Sequence, residues 1–115
     1  MLQAGPRGPS ATAMGHQSAC DTSLRFAIAN KRLVCFYYNE KWRIAEPHDY
    51  GVKNGTAKLL VYQVRGESTS LVRGWKLLDV ARIEQLAILE DTFRGTRGRP
   101  EQHHMQWDEV FVRVE

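Results

Sequence analysis

Trp42-Arg43-Ile44-Ala45-Glu46-Pro47-His48-Asp49-Tyr50-Gly51 carries the reading of this 115-residue chain. It lies between two apolar runs, Leu33-Val34-Cys35-Phe36-Tyr37-Tyr38 and Leu59-Leu60-Val61-Tyr62. Pro47 lacks a backbone donor, so within a strand it belongs at an edge, a bulge or a sharp bend. His48 and Tyr50 then flank a break in pairing, where a side chain is aimed away from the core.

Working outward, Arg32 to Tyr38 is rich in β-branched and aromatic residues and reads as a strand covered on both faces. Asn39-Glu40-Lys41 supplies a turn, and a second strand runs from Trp42 to about Val52. Lys53-Asn54-Gly55-Thr56 is a hairpin signal, because Asn-Gly accepts the positive φ angles of a type I′ turn. A third strand covers Ala57 to Val64. Residues 66–74 form a polar loop with Leu71-Val72 near its end. A fourth strand covers Trp75 to Val80, and a fifth, from Ile83, ends in the apolar residues up to Leu89. On the N-terminal side, Thr22 or Ser23 caps a short helix, Leu24 to Asn30, whose Leu24, Ala27 and Ile28 share one face. One short N-terminal helix and about five short strands make a mainly β chain, closed as a small, strongly bent β-barrel of the Sm-like or SH3-like kind.

The expected organisation is a disordered tail over 1–22, a barrel domain over 23–93, a loose basic linker over 94–106 and a C-terminal strand over 107–115. Gly, Pro, Ser and Thr dominate the tail, in which Met14 is an alternative start and His16 and Cys20 are incidental. Val110, Val112 and Val114 alternate with Phe111 and Arg113, giving a strand that returns to the barrel edge or pairs with another copy. A core unit of about 70 residues lies near the lower limit for independent stability, which leaves a homodimer or a host complex open. The net charge of +3 permits a nucleic-acid partner without requiring one. Two cysteines give neither a disulfide framework nor metal-ligand spacing, and His103-His104 point apart in an extended chain, so no metal and no cofactor are expected. No apolar run has membrane length and no leader pattern is present, so a cytoplasmic protein with no membrane partner is expected.

Several segments together resemble the WYL domain family. Val34-Cys35-Phe36-Tyr37-Tyr38 matches its first strand, and Arg43-Ile44-Ala45-Glu46-Pro47-His48 matches its Glu-Pro-His signature. Trp75-Lys76-Leu77-Leu78-Asp79-Val80-Ala81-Arg82-Ile83 is similar to its Phe-Arg-Leu-Asp-Arg-Ile segment, and Ile83, Leu86, Ile88 and Phe93 fit the closing strand. The likeness covers about 24–93. Two positions depart from it: Lys58-Leu59-Leu60-Val61-Tyr62 stands where the naming Trp-Tyr-Leu would be, and Asp79 stands where the family has an arginine thought to contact ligand. The resemblance implies an Sm-like barrel that binds a small ligand or single-stranded nucleic acid. It also implies the sensing part of a bacterial transcription regulator, often dimeric, although no helix-turn-helix precedes the matching segments.

The candidate site residues are Arg43, His48, Tyr50, Tyr62, Arg73, Trp75, Lys76 and Arg82. His48 reads either as a ligand contact or as a hydrogen-bonded structural residue. Arg43 and Arg82 read either as a forked cationic pocket for phosphate or as surface ion pairs with Glu46 and Glu84. Tyr50 and Tyr62 offer stacking surfaces for a base, or are ordinary strand residues. Arg73, Trp75 and Lys76 set an aromatic ring among basic residues, the pattern that suits single-stranded nucleic acid, although Trp75 also fits as a plug of the barrel. No catalytic constellation is present, so the expected function is non-enzymatic: a regulatory module binding an anionic ligand, a nucleotide or single-stranded nucleic acid. The alternative is a protein-interaction or dimerisation module with no small ligand.

Overall fold

The computed structural model describes residues 20–66, 74–97 and 106–115. A helix, α1, over 20–29 is followed by five strands: β1 (Arg32–Tyr38), β2 (Lys41–Lys53), β3 (Thr56–Gly66), β4 (Gly74–Asp79) and β5 (Glu84–Thr92). A 3-10 turn, Val80–Arg82, links β4 to β5, and β6 (Glu109–Arg113) closes the chain. The strands form one antiparallel six-stranded sheet in the order β4-β3-β2-β1-β5, with β6 added on β2. Among the described residues no ladder joins β4 to β5, so the sheet is open. No helix among the described residues is long and apolar enough to cross a membrane.

Both hairpin turns have two central residues with positive φ. Asn54 (53°) and Gly55 (76°) take the conformation expected from the Asn-Gly pair, and Asn39 (51°) and Glu40 (63°) take the same one without a glycine. The core lies between α1 and one face of the sheet. Cys20, Leu24, Ala27 and Ile28 of α1 are buried against Val34 and Phe36 of β1, Ala45 of β2, Leu59 and Val61 of β3 and Leu78 of β4. Helical spacing puts those four α1 positions on one side, so Cys20, expected to be incidental, is a core residue. Thr22 and Ser23 lie inside the helix rather than capping it.

β2 is the central element. It runs 13 residues, and the chain uses its length to hold different partners along one edge. β1 pairs with its first half, ending at Val34↔Ala45, and β6 pairs with its second half, beginning at Asp49↔Arg113. Pro47 falls in the gap between them on this edge, and on the other it pairs with Val61 beside a register shift, the kind of place where a strand tolerates proline. On the other edge the register shifts between Pro47↔Val61 and Asp49↔Leu60, which makes His48 the bulged residue. Where β6 crosses, Gly51 is required: a Cβ there would stand 2.1 Å from the Glu109 carbonyl oxygen.

The start of the segment expected to be a loose linker packs on the sheet. Gly95, at φ 128°, lets the chain turn beside Glu115, and Arg97 is fixed to β2 by both its backbone and its side chain. The C-terminal strand returns to its own β2, one of the two outcomes expected for it. The N-terminal tail up to residue 19, the loop residues Arg73 and Leu71-Val72, and His103-His104 lie outside the described residues.

Candidate functional site

On the sheet face opposite the core, three strands contribute one residue each to a row. Glu46 of β2 pairs with Tyr62 of β3, and Tyr62 pairs with Trp75 of β4, so their side chains stand side by side. The Tyr62 and Trp75 rings meet edge to face at 5.3 Å. The bulge brings His48 into the same cluster, edge to face with Trp75 at 4.7 Å and stacked on Phe93 at 5.6 Å.

Arg97 lies over this row. Its Nε donates to Glu46 Oε1 at 2.7 Å and its Nη2 to Glu46 Oε2 at 3.1 Å, a bidentate pair. Its guanidinium carbon stands 4.0 Å from the centre of the Tyr62 ring, within cation–π range. The hydrogen bonds to Glu46 push the Arg97 pKa above its already high value, so the group is permanently charged. The Arg97 backbone N–H donates to His48 Nε2 at 3.2 Å, while His48 Nδ1 lies 2.9 Å from the Glu46 carbonyl oxygen. Both contacts are satisfied together when the ring is neutral with its proton on Nδ1, which donates while Nε2 accepts.

Beside this cluster the chain encloses a cleft of about 480 Å³, lined by Glu46 and by the run from Thr92 to Arg97. Its charged groups are Glu46, Arg94 and Arg97, and Thr92 and Thr96 add hydroxyls. A forked cation laid on an aromatic ring, with a second arginine and hydroxyls nearby, is chemistry suited to an oxyanion. Comparison with protein-family models, with curated proteins and with solved structures found no match.

Of the eight candidates read from the sequence, His48, Tyr62 and Trp75 come together here. His48 is fully buried and engaged on both ring nitrogens, so it supports the cluster from within rather than facing solvent. Arg43 and Arg82 come together elsewhere, at the end of the core. Both guanidinium groups stand over the Tyr38 ring, at 5.5 and 5.0 Å. Arg43 also donates to Tyr38 O (3.2 Å) and Gln63 Oε1 (3.1 Å), and Arg82 binds Asn39 and stands 3.7 Å from Asp79. Of the two readings weighed for them, ion pairing with Glu46 or Glu84 is not seen among the described residues, because Arg82 pairs with Asp79 and Glu46 with Arg97.

Asp79 is held by Lys58 as well, whose hydrogen bond lowers the Asp79 pKa. Tyr50 is on the core side, buried, with its hydroxyl donating to Asp21 of α1 at 2.7 Å and its ring against Phe111 at 5.0 Å, so it offers no stacking surface to a ligand. Lys76 is half-buried on β4 and, as the pair of Val61, points to the face opposite Trp75. Arg73 lies outside the described residues.

The residues that sequence reading missed are Thr92, Arg94, Thr96 and Arg97. Arg94, Thr96 and Arg97 fell in the expected loose basic linker and Thr92 at the end of the expected barrel domain, and the contact that pins Arg97, to Glu46, spans 51 residues. Gly95 was the one local signal of a defined turn.

Proposed function

We propose that this chain is a non-enzymatic, WYL-like regulatory module that binds an anionic ligand in the cleft lined by Glu46 and by Thr92 to Arg97. The ligand classes are a nucleotide or single-stranded nucleic acid, in the cytoplasm. The observation that carries the reading is Arg97, charged and held over the Tyr62 ring, at a cleft that Arg94, Thr92 and Thr96 also line. An Sm-like barrel belongs to the same reading. The helix, the five-strand order and the 3-10 turn ahead of β5 support it, with the sheet left open between β4 and β5. Arg43, Arg82 and His48 have structural roles here, and the ligand-binding role passes to Arg94 and Arg97.

Fluorescence anisotropy of labelled single-stranded DNA and RNA oligomers, titrated with the full chain at two salt concentrations, tests this. Affinity is expected to fall with salt, and Arg94→Ala is expected to reduce the slope of log affinity against log salt by about one. Absence of binding at low salt would overturn the nucleic-acid form of the reading. A second reading, homodimerisation without a small ligand, is favoured by the second edge of β5, which no strand among the described residues pairs. Light scattering across a concentration series separates the two.

A further inference from the structure

The proposed anion site contains an anion of its own. The Glu46 side chain is 9% exposed, and each of its oxygens accepts one hydrogen bond from Arg97, from Nε and from Nη2. This uses the side-on edge of the guanidinium fork. A monocarboxylate entering the cleft would offer that edge only what Glu46 already supplies from a fixed position. Exchanging the two would leave Glu46 charged, largely removed from water and without its guanidinium, which is costly.

The end-on edge of the fork is different. A guanidinium has five N–H donors, and Glu46 takes two of them. Arg97 Nη1 has no hydrogen-bond partner among the described residues. Arg94 lines the same cleft. A phosphate monoester carries nearly two charges and three strong acceptor oxygens. It is able to bind the end-on edge of Arg97 and Arg94 at once, while Glu46 keeps its pair. A single carboxylate has too few oxygens and too little charge to gain as much from the same two groups.

We infer that Glu46 makes this cleft selective for phosphate monoester dianions over monocarboxylates, by holding the side-on edge of Arg97. The inference rests on the anion-site reading above and adds a specificity-determining residue to it.

The test is calorimetric titration of the full chain with phenyl phosphate and with benzoate, which share a ring and differ in the anion. It is done at about pH 8, where the phosphate monoester is a dianion. The wild-type chain is expected to prefer phenyl phosphate by about tenfold or more, the scale of one charge-assisted hydrogen bond. Glu46→Gln is expected to gain more for benzoate than for phenyl phosphate, so that the preference narrows by about tenfold. Glu46→Asp, which withdraws the carboxylate by one methylene and keeps its charge, is expected to shift the preference in the same direction and serves if the Gln variant does not fold. Binding of both anions with a preference unchanged in both variants would overturn the selectivity role and leave the anion site standing. Binding of neither anion by the wild-type chain would overturn the site and the inference together.

Discussion

Gly51→Ala tests the arrangement on which the C-terminal part of the sheet depends. The added Cβ would lie 2.1 Å from Glu109 O and 2.9 Å from Val110 Cα, and both are backbone atoms that no side-chain rotation can clear. Gly51 has no positive φ, so alanine brings no backbone strain of its own. In the absence of β6 it would stabilise the chain by about 0.4–1 kcal/mol through the unfolded state. With β6 in place the strand must leave its register, and the cost is capped by the free energy of docking it. Undocking loses the ladder from Asp49↔Arg113 to Val52↔Glu109, the bond from Val114 N to His48 O, and the burial of Val114, which is 5% exposed.

Backbone bonds worth about 1 kcal/mol each are largely offset by the freedom the strand regains. Side-chain burial of Val114 and part of Phe111 and Val112 then leaves a net loss of about 2–4 kcal/mol. Urea denaturation gives the total, and hydrogen exchange at the amides of 110–114 gives its location. The substitution is expected to lower stability and to remove protection at those amides while sparing β1 and β3. Unchanged stability with unchanged protection at 110–114 would refute the close approach of β6 to Gly51, and with it the burial of Asp49 beneath Arg113.

Two further outcomes follow from local geometry. Glu40→Gly relieves a non-glycine residue at φ 63° and is expected to stabilise the chain by about 0.5–1 kcal/mol in chemical denaturation, after the extra unfolded-state freedom of glycine is subtracted. Tyr50 is raised in pKa by burial and by its hydrogen bond to Asp21, so the unfolded chain ionises first, near pH 10. Its contribution is therefore complete below about pH 10 and lost as pH rises beyond it, and Tyr50→Phe is expected to cost about 1–2 kcal/mol at neutral pH while making the alkaline fall in thermal stability shallower.

Much of the fold was legible because its signals are local. Asn54-Gly55 marks one hairpin, the apolar run Arg32–Tyr38 marks β1 to the residue, and Pro47 marks the break in β2. The turn at Asn39-Glu40 was expected, but not its paired positive φ angles, since glutamate carries no preference for that region. The site was only half legible. Tyr62 and Trp75 were named separately, yet what joins them is the register of β3 and β4. Register is set by pairing across the sheet, which no single segment displays. Arg97 escaped for a stronger reason: nothing near it in the chain announces that Glu46, across the sheet, is waiting as its partner.

The division of one edge of β2 between β1 and β6 also has a kinetic meaning. β1 reaches β2 through a two-residue turn, whereas Arg113 meets Asp49 across 64 sequence positions. Short loops close early and distant pairings late, so β1, β2 and β3 are expected to assemble while the stretch from Asp49 to Val52 still has one edge unpaired. Until β6 arrives, an acidic side chain and four residues of bare strand stand open to any extended chain nearby. The same order reversed makes β6 the first piece to leave on unfolding. Its arrival and departure set how long the nascent molecule presents a sticky edge.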